Sequence, residues 1–272
     1  MANNLLHGKR GIIFGALDEN SIAWKTALQV YAEGGRFVLT NAPIAMRMGK
    51  INELAAATES IVVPADATSL DELTVLTQKA VTHLGGKLDF VLHSIGMSTN
   101  IRKDRPYGDL NYDWFAKTLD VSALSFHKIM HVLEKEDAMA EWGSIVALSY
   151  VAAQRVFPDY TDMAQAKAIL ESIARSYGYR FGKLKKVRVN TISQSPTMTT
   201  AGQGIEGFDV MYTYAEKMSA LGNATAEDCA NYVALLFSDY SRFVTMQNLM
   251  HDGGFSMVGI SEEVIEALKA GQ

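Results

Sequence analysis

Short apolar runs rich in β-branched and aromatic residues alternate along this chain with longer stretches of helical periodicity, and this alternation constrains the fold more than any other feature. The apolar runs fall at 11–15, 37–40, 61–64, 88–93, 144–149, 187–192 and, more weakly, 248–252. Between them, stretches such as 22–34, 69–84, 111–134, 160–181 and 226–237 repeat their apolar residues with the helical period of about 3.6. Strands separated by helices pair in parallel through crossovers, and the helices then cover both faces of the sheet. Seven such strands in 272 residues predict an α/β fold with one doubly wound parallel sheet. No linker, repeat or low-complexity tract divides the sequence, so residues 1–272 read as one domain. Segment 197–222, after the sixth strand, mixes Gly, Thr, Met and aromatic residues and reads as a long loop. Long loops at the carboxyl edge of such a sheet are usually lids or substrate covers.

Composition narrows the function. Hydrophobic residues make up 48% of the chain and charged residues 20%, as in an ordinary globular protein. A net charge of −5 gives no electrostatic reason to expect nucleic acid as a partner. No apolar run approaches a membrane span, and the first residues lack the apolar core of a secretory signal, so no membrane partner is expected. The single cysteine, Cys229, excludes an internal disulfide and fits a reducing cytoplasm. It lies in a helical pattern, where a small core residue is expected rather than a reactive thiol. His127 and His131 are spaced i, i+4, but no third ligand accompanies them and no metal site is expected.

The nucleotide signals sit at strand ends. A dinucleotide pyrophosphate needs a tight turn, close backbone approach and a helix N-terminus aimed at it. Gly15, at the end of the first strand, supplies bare backbone, and Ser21 reads as the N-cap of the next helix with a hydroxyl free for phosphate. The Gly-x-Gly-x-x-Gly fingerprint is missing, so the argument rests on position in the first βα turn. The second strand ends Thr40-Asn41-Ala42-Pro43 with no acid for an adenosine ribose, and Arg47 further on reads either as a partner for a 2′-phosphate or as a solvated surface residue. Asp66 reads as an acceptor for the adenine amino group or as the cap of its own turn. Gly96, after the fourth strand, lets backbone lie flat against a ribose, and His93 beside it reads as wall.

The candidate chemistry lies after the fifth strand. Tyr160 and Lys167 are seven residues apart, two helical turns, so both project from one helix face near the carboxyl ends of the strands. A lysine beside a tyrosine favours ionisation of the phenol and can grip ribose hydroxyls. Ser149-Tyr150 closes the fifth strand and brings a second phenol to the same edge. Tyr179 and Lys183 are a competing pair with a shorter interval, but they fall at the far end of the helix, at the opposite edge of the sheet from Gly15 and Gly96.

In order along the chain, Gly15-x5-Ser21-Ile22-Ala23-Trp24, Asp66, His93-Ser94-Ile95-Gly96, Ser149-Tyr150, Tyr160-x6-Lys167-Ala168, Arg188-Val189-Asn190-Thr191-Ile192-Ser193 and His251-Asp252-Gly253-Gly254-Phe255 resemble the bacterial enoyl-acyl-carrier-protein reductases of the short-chain dehydrogenase superfamily. The six-residue interval between Tyr160 and Lys167, with Tyr150 where other superfamily members place a serine, is the most specific part. The resemblance implies a Rossmann fold and hydride transfer from NADH, with NADPH not excluded, to a trans-2-enoyl thioester. It implies Tyr150, Tyr160 and Lys167 as catalytic residues. It also implies Gly15, Ser21, Ile22, Asp66, Ala67, Ile95, Gly96, Lys167, Thr197, Thr199 and Ala201 at the cofactor. Met97, Ser98, Tyr150, Met163, Ile205 and Phe208 are implied at the substrate. The partner implied is acyl carrier protein, and the assembly a homotetramer, with apolar residues of 254–260 in its interface. Departures from the family pattern are Lys25 after Trp24, Met246 in place of a glycine, and Glu206 and Asp209 where several relatives carry basic residues beside the acyl portal. The rival functions are a ketoacyl or alcohol dehydrogenase of the same fold, which the Tyr-Lys interval and Tyr150 oppose, and a non-catalytic nucleotide-binding protein.

Overall fold

A computed structural model describes residues 3–47, 49–203 and 207–270. The chain runs β1 (Arg10–Phe14), α1 (Ile22–Ala32), β2 (Arg36–Thr40), α2 (Ile51–Ala57), β3 (Ile61–Val62), α3 (Leu70–Leu84) and β4 (Leu88–His93). It continues through α4 (Thr99–Arg102), α5 (Tyr112–Leu119), α6 (Ser125–Lys135), β5 (Met139–Ser149), α7 (Thr161–Lys185) and β6 (Arg188–Gln194). It ends with α8 (Thr200–Gln203), α9 (Phe208–Met218), α10 (Ala226–Phe237), β7 (Asn248–His251) and α11 (Glu262–Ala270). The strands form one seven-stranded sheet in the order β3-β2-β1-β4-β5-β6-β7, with every pairing parallel.

Alternation along the strands divides the core in two. Ile12, Val91 and Ile145 pack on one face against Leu76 of α3, Phe126 of α6 and Leu170 of α7. Ile13, Phe90 and Val146 pack on the other against Trp24 of α1 and Phe237 of α10. Burying each large side chain is worth roughly 1.5–3 kcal/mol, so both helix layers are anchored by several such contacts. The helices start where short polar side chains satisfy free amides. Ser69 accepts from Glu72 N, Asn111 from Trp114 N, and Thr225 forms a capping box with Asp228.

The structure departs from the sequence expectation in several places. Strand β5 starts at Met139 because Met139 pairs with Leu88 across a register shift. The helical stretch 111–134 is interrupted by a π turn at Asp120–Leu124. There Ser122 Oγ accepts from Met97 N at 2.9 Å and donates to Met97 O at 3.1 Å. Segment 197–222 is not a plain loop, since it contains α8 and α9, and α9 buries Phe208, Ala215 and Met218. Among the described residues no helix is long and apolar enough to cross a membrane. Cys229 is buried in the core, and burial pushes its thiol up to about 12.

Candidate active site

After β1 the chain builds the sheet outward on one side through β2 and β3, then returns to lay β4 on the other side of β1. This reversal opens a crevice at the carboxyl ends of β1 and β4, where doubly wound sheets bind their ligands. Gly15 forms its floor with φ +92, and a Cβ there would fall 1.9 Å from Ser94 O. The left-handed conformation and the close approach both require glycine. The crevice is a cavity of about 390 Å³ that brings most of the expected residues together. Gly15, Ser21 and Ile22 line it from the first turn, and Ile95, Gly96, Met97 and Ser98 from the segment after β4. Tyr150, Tyr160, Met163 and Lys167 line it from β5 and α7, and Thr197, Thr199 and Phe208 from beyond β6.

Other expected residues are placed differently. Ser21 caps α1 by accepting from Trp24 N at 3.3 Å, but its hydroxyl is not idle, because it donates to Asp18 O at 2.8 Å. Asp66 and Ala67 lie outside the cavity lining, and Asp66 Oδ1 accepts from the amide and hydroxyl of Thr68, both at 2.8 Å. Ser98 lines the cavity, but its hydroxyl donates to Asp162 Oδ1 at 2.6 Å. Ala201 belongs to α8. Ile205 and Glu206 lie outside the described residues. Arg47 is exposed and does not line the cavity, although Ala45, at the start of the same 3₁₀ turn, does.

Tyr160 ends a 3₁₀ turn, Pro158–Tyr160, immediately before α7 rather than standing on the helix. Its ring centroid is 5.0 Å from that of Tyr150. Burial raises the pKa of both phenols, and for Tyr150 the neighbouring Tyr160 and Asp252 raise it further. Each therefore stays a protonated donor over the ordinary pH range. The Tyr150 hydroxyl is buried and has no hydrogen-bond partner among the described residues. Lys167 Nζ donates to Leu148 O at 2.8 Å. Burial lowers this lysine to about 8, against the opposing effect of Glu171 one turn further along α7. His93, expected in the wall, is fully buried and outside the cavity lining, with Nε2 2.9 Å from Ser125 Oγ, and burial, with a lesser effect from Lys167, lowers it to about 3.

Several residues of the site went unread in the sequence. Asn41, Arg102, Gln194 and Met211 also line the cavity. Asn41 and Gln194 stand at or just beyond the carboxyl ends of β2 and β6, the positional signal that identified Gly15 and Gly96. Glu171 is buried and accepts from Ser149 Oγ at 2.7 Å and Gln154 Nε2 at 3.1 Å, fixing the end of β5 to α7. Gln194 Oε1 lies 2.7 Å from His251 Nδ1, and Gln194 Nε2 donates to Thr197 Oγ1 at 3.2 Å. Beside it Ala224 N donates to Ser195 Oγ at 2.9 Å, joining the two ends of the segment that carries α8 and α9.

A second cavity, of about 740 Å³, opens between α9 and the turn before Tyr160. Phe157, Val210, Tyr214 and Phe255 give it an apolar lining, and Tyr160, Phe208 and Met211 are common to both cavities. Asp209 is exposed on α9, and Lys217 lies 4.0 Å from Glu263.

With this geometry in view, similarity to known proteins becomes informative. The family described as Enoyl-(Acyl carrier protein) reductase matches residues 15–256. An NADH enoyl-acyl-carrier-protein reductase of Rhizobium meliloti is 34% identical over 269 residues, covering 98% of each chain. The crystal structure of a FabI–NADH complex from Alistipes finegoldii superposes with a TM-score of 0.94 at 60% identity, covering 96% of this chain and 92% of the other. A second FabI structure from Alistipes finegoldii gives a TM-score of 0.94 at 57% identity, covering 99% and 98%. The chain belongs to the enoyl-acyl-carrier-protein reductase family of the short-chain dehydrogenase superfamily.

Proposed function

We propose that this chain reduces the trans-2 double bond of an enoyl thioester delivered on acyl carrier protein, with NADH as reductant, in the cytoplasm. The observation that carries the reading is the convergence of Tyr150, Tyr160 and Lys167 on a crevice that continues into an apolar groove. The crevice suits a dinucleotide. Gly15 leaves backbone bare at the start of α1, and a methyl at Gly96 would stand 3.8 Å from both Lys167 Nζ and Met163 Cε. Gly15, Ser21, Ile22, Ile95, Gly96, Thr197 and Thr199 would hold the cofactor, with Asp66, Ala67 and Ala201 near its ends. When bound, the reduced nicotinamide supplies the hydride for the β-carbon.

The chain's own residues manage the charge that follows. Negative charge develops on the thioester oxygen as an enolate, so a donor aimed at that oxygen does most of the catalytic work. Tyr160 is that donor, kept protonated by burial. Tyr150 lies against it and bounds the thioester side of the crevice. Lys167 grips the nicotinamide ribose and faces Tyr160 with its charge. Met97, Met163 and Phe208 bound the substrate, and the groove under α9 takes the acyl chain. Helix α9 of segment 197–222 covers it.

The end of β2 favours NADH over NADPH. Asn41 spends its amide on Ala16 O and Ala42 N, and brings no cation where a 2′-phosphate would need one. Assembly as a homotetramer belongs to the same reading. Met257 is 85% and Ile260 57% exposed near the C-terminus, whereas Phe255 packs into its own core. The deciding experiment is steady-state cofactor oxidation with trans-2-dodecenoyl and acetoacetyl thioesters, each with NADH and NADPH. Turnover of the enoyl thioester with NADH is expected. Preferential turnover of acetoacetyl thioester would replace the reading with a ketoreductase.

A further inference from the structure

Two residues beyond Tyr160 the chain buries a carboxylate completely. Asp162 is 0% exposed. Its Oδ1 accepts from Ser98 Oγ at 2.6 Å, and its Oδ2 accepts from Asn100 Nδ2 at 2.8 Å. Thr161 Oγ1 adds a longer contact to Oδ1 at 3.3 Å. Both principal donors are themselves buried, and both come from the segment after β4 that lines the crevice. Asn100 extends the network, since its Oδ1 accepts from Asn111 N at 3.0 Å and its Nδ2 also donates to Asn111 O at 3.2 Å. Asn111 in turn caps α5. Ser122 holds the same segment from its other side through both backbone groups of Met97.

Between Tyr160 and Asp162 stands Thr161, with φ +23 and ψ −125. A β-branched residue reaches that region only at a cost of roughly 1–3 kcal/mol, and only where the surroundings enforce it. The conformation turns the chain sharply between the 3₁₀ turn that ends in Tyr160 and the first turn of α7. The direction of the Tyr160 phenol depends on this corner, and the carboxylate network is what grips the corner from the far side.

We propose that Asp162 is a positioning residue for Tyr160: by binding Ser98 and Asn100 it ties the segment after β4 to the start of α7 and fixes the phenol beside Tyr150. The inference rests on the reading of Tyr160 as the donor to the thioester oxygen. It also gives Ser98 a different duty from substrate contact, because its hydroxyl proton is already committed to Asp162. An aspartate suits the place because it offers two acceptor oxygens to two donors. Asparagine has the same shape but turns an NH₂ towards one of those donors.

Asp162→Asn tests this in the wild-type chain and in a Tyr160→Phe background, with kcat on trans-2-dodecenoyl thioester and the NADH dissociation constant from fluorescence titration. A misplacement on the ångström scale costs up to about 10²-fold in rate. We expect kcat to fall by about tenfold or more while the NADH constant stays within about twofold. In the Tyr160→Phe background the same substitution should cost little more, because the phenol it positions has already lost its hydroxyl. An equal proportional loss in both backgrounds, or wild-type kcat for Asp162→Asn, overturns the positioning role and leaves the donor assignment standing. Near-normal turnover by Tyr160→Phe alone overturns the donor assignment and the positioning role with it. If Asp162→Asn does not fold, Ser98→Ala removes one donor without altering α7. A smaller loss of kcat at unchanged NADH affinity is then expected, and wild-type kcat overturns the proposal.

Discussion

The helix α7 has a Tyr–Lys pair near each end, and the two ends share almost nothing else. At its start Tyr160 and Lys167 lie in the crevice, Lys167 only 7% exposed and bonded to Leu148 O. At its other end Tyr179 is 63% exposed, and Lys183 lies 5.7 Å from the centroid of its ring with solvent around both. The second pair has the shorter interval that most short-chain dehydrogenases use, so spacing alone would select it. What separates the pairs is the edge of the sheet they occupy. Only the carboxyl edge combines the Gly15 turn, the switch in strand order and the second phenol. A Tyr–Lys interval therefore becomes chemistry through burial and placement, and the two pairs can be tested against each other.

The largest effect is expected from Tyr160→Phe. Removing a donor that acts mainly in the transition state costs about 10²–10³ in kcat, and NADH affinity should be nearly unchanged. Steady-state kinetics beside a binding titration check this, and retention of most turnover would remove the distinction between the two ends. Lys167→Met comes next. Loss of a charge-assisted contact to the ribose, worth about 1.5–3 kcal/mol, should weaken NADH binding by about ten- to a hundredfold.

Lys167 also sets a pH dependence. Its pKa in the folded chain, about 8, lies below the ordinary lysine value. Between those two values the unfolded chain binds more protons than the folded one, so stability of the cofactor-free protein rises with pH across that window. Below the folded pKa both states are protonated and this contribution is flat. Thermal melts from pH 7 to pH 10 should show the rise in wild type and a smaller rise in Lys167→Met. At the far end of α7, Tyr179→Phe and Lys183→Ala should each leave kcat unchanged and move stability by no more than about 0.5 kcal/mol. A loss of turnover in either would show that the exposed pair is tied to the site.

Burial and periodicity made much of the fold legible. The runs that became β1, β2 and β4 are largely apolar, as strands covered on both faces tend to be, whereas β6 is buried along its whole length with Val189 and Ile192 as its apolar residues. The exceptions have local causes. Strand β3 keeps Ile61 and Val62, paired with Val38 and Leu39 at the sheet edge, and the expected run to residue 64 ends in Pro64, which has no amide hydrogen for a ladder bond. The π turn at Asp120–Leu124 has nearly the same apolar spacing as the α-helix around it, so the pattern hides it. Helix α9 was readable in principle from Phe208, Met211, Ala215 and Met218, but flanking glycines and threonines masked its short apolar stripe. Within the site, residues at strand ends were legible because strand ends meet at one edge. The Asp162 network was not, since its partners lie more than sixty positions away and only the folded chain joins them.

The bond from Ala224 to Ser195 has a consequence for how such an enzyme can change. The chain leaves the end of β6 and comes back beside it just before α10 begins, so the excursion behaves as an insert on a closed neck. Lengthening an insert whose ends are already joined adds entropy only logarithmically, about 0.6 kcal/mol for each doubling. The neck bears on β6 and β7, and within the insert α9 packs Met211, Ala215 and Met218 into the cluster that also holds Tyr150 and Tyr160. Change is therefore cheapest on the side of α9 turned away from that cluster, where Val210 is exposed and lines the groove. The groove and the two phenols are coupled through one face of a single helix, and the latitude for change lies on the other.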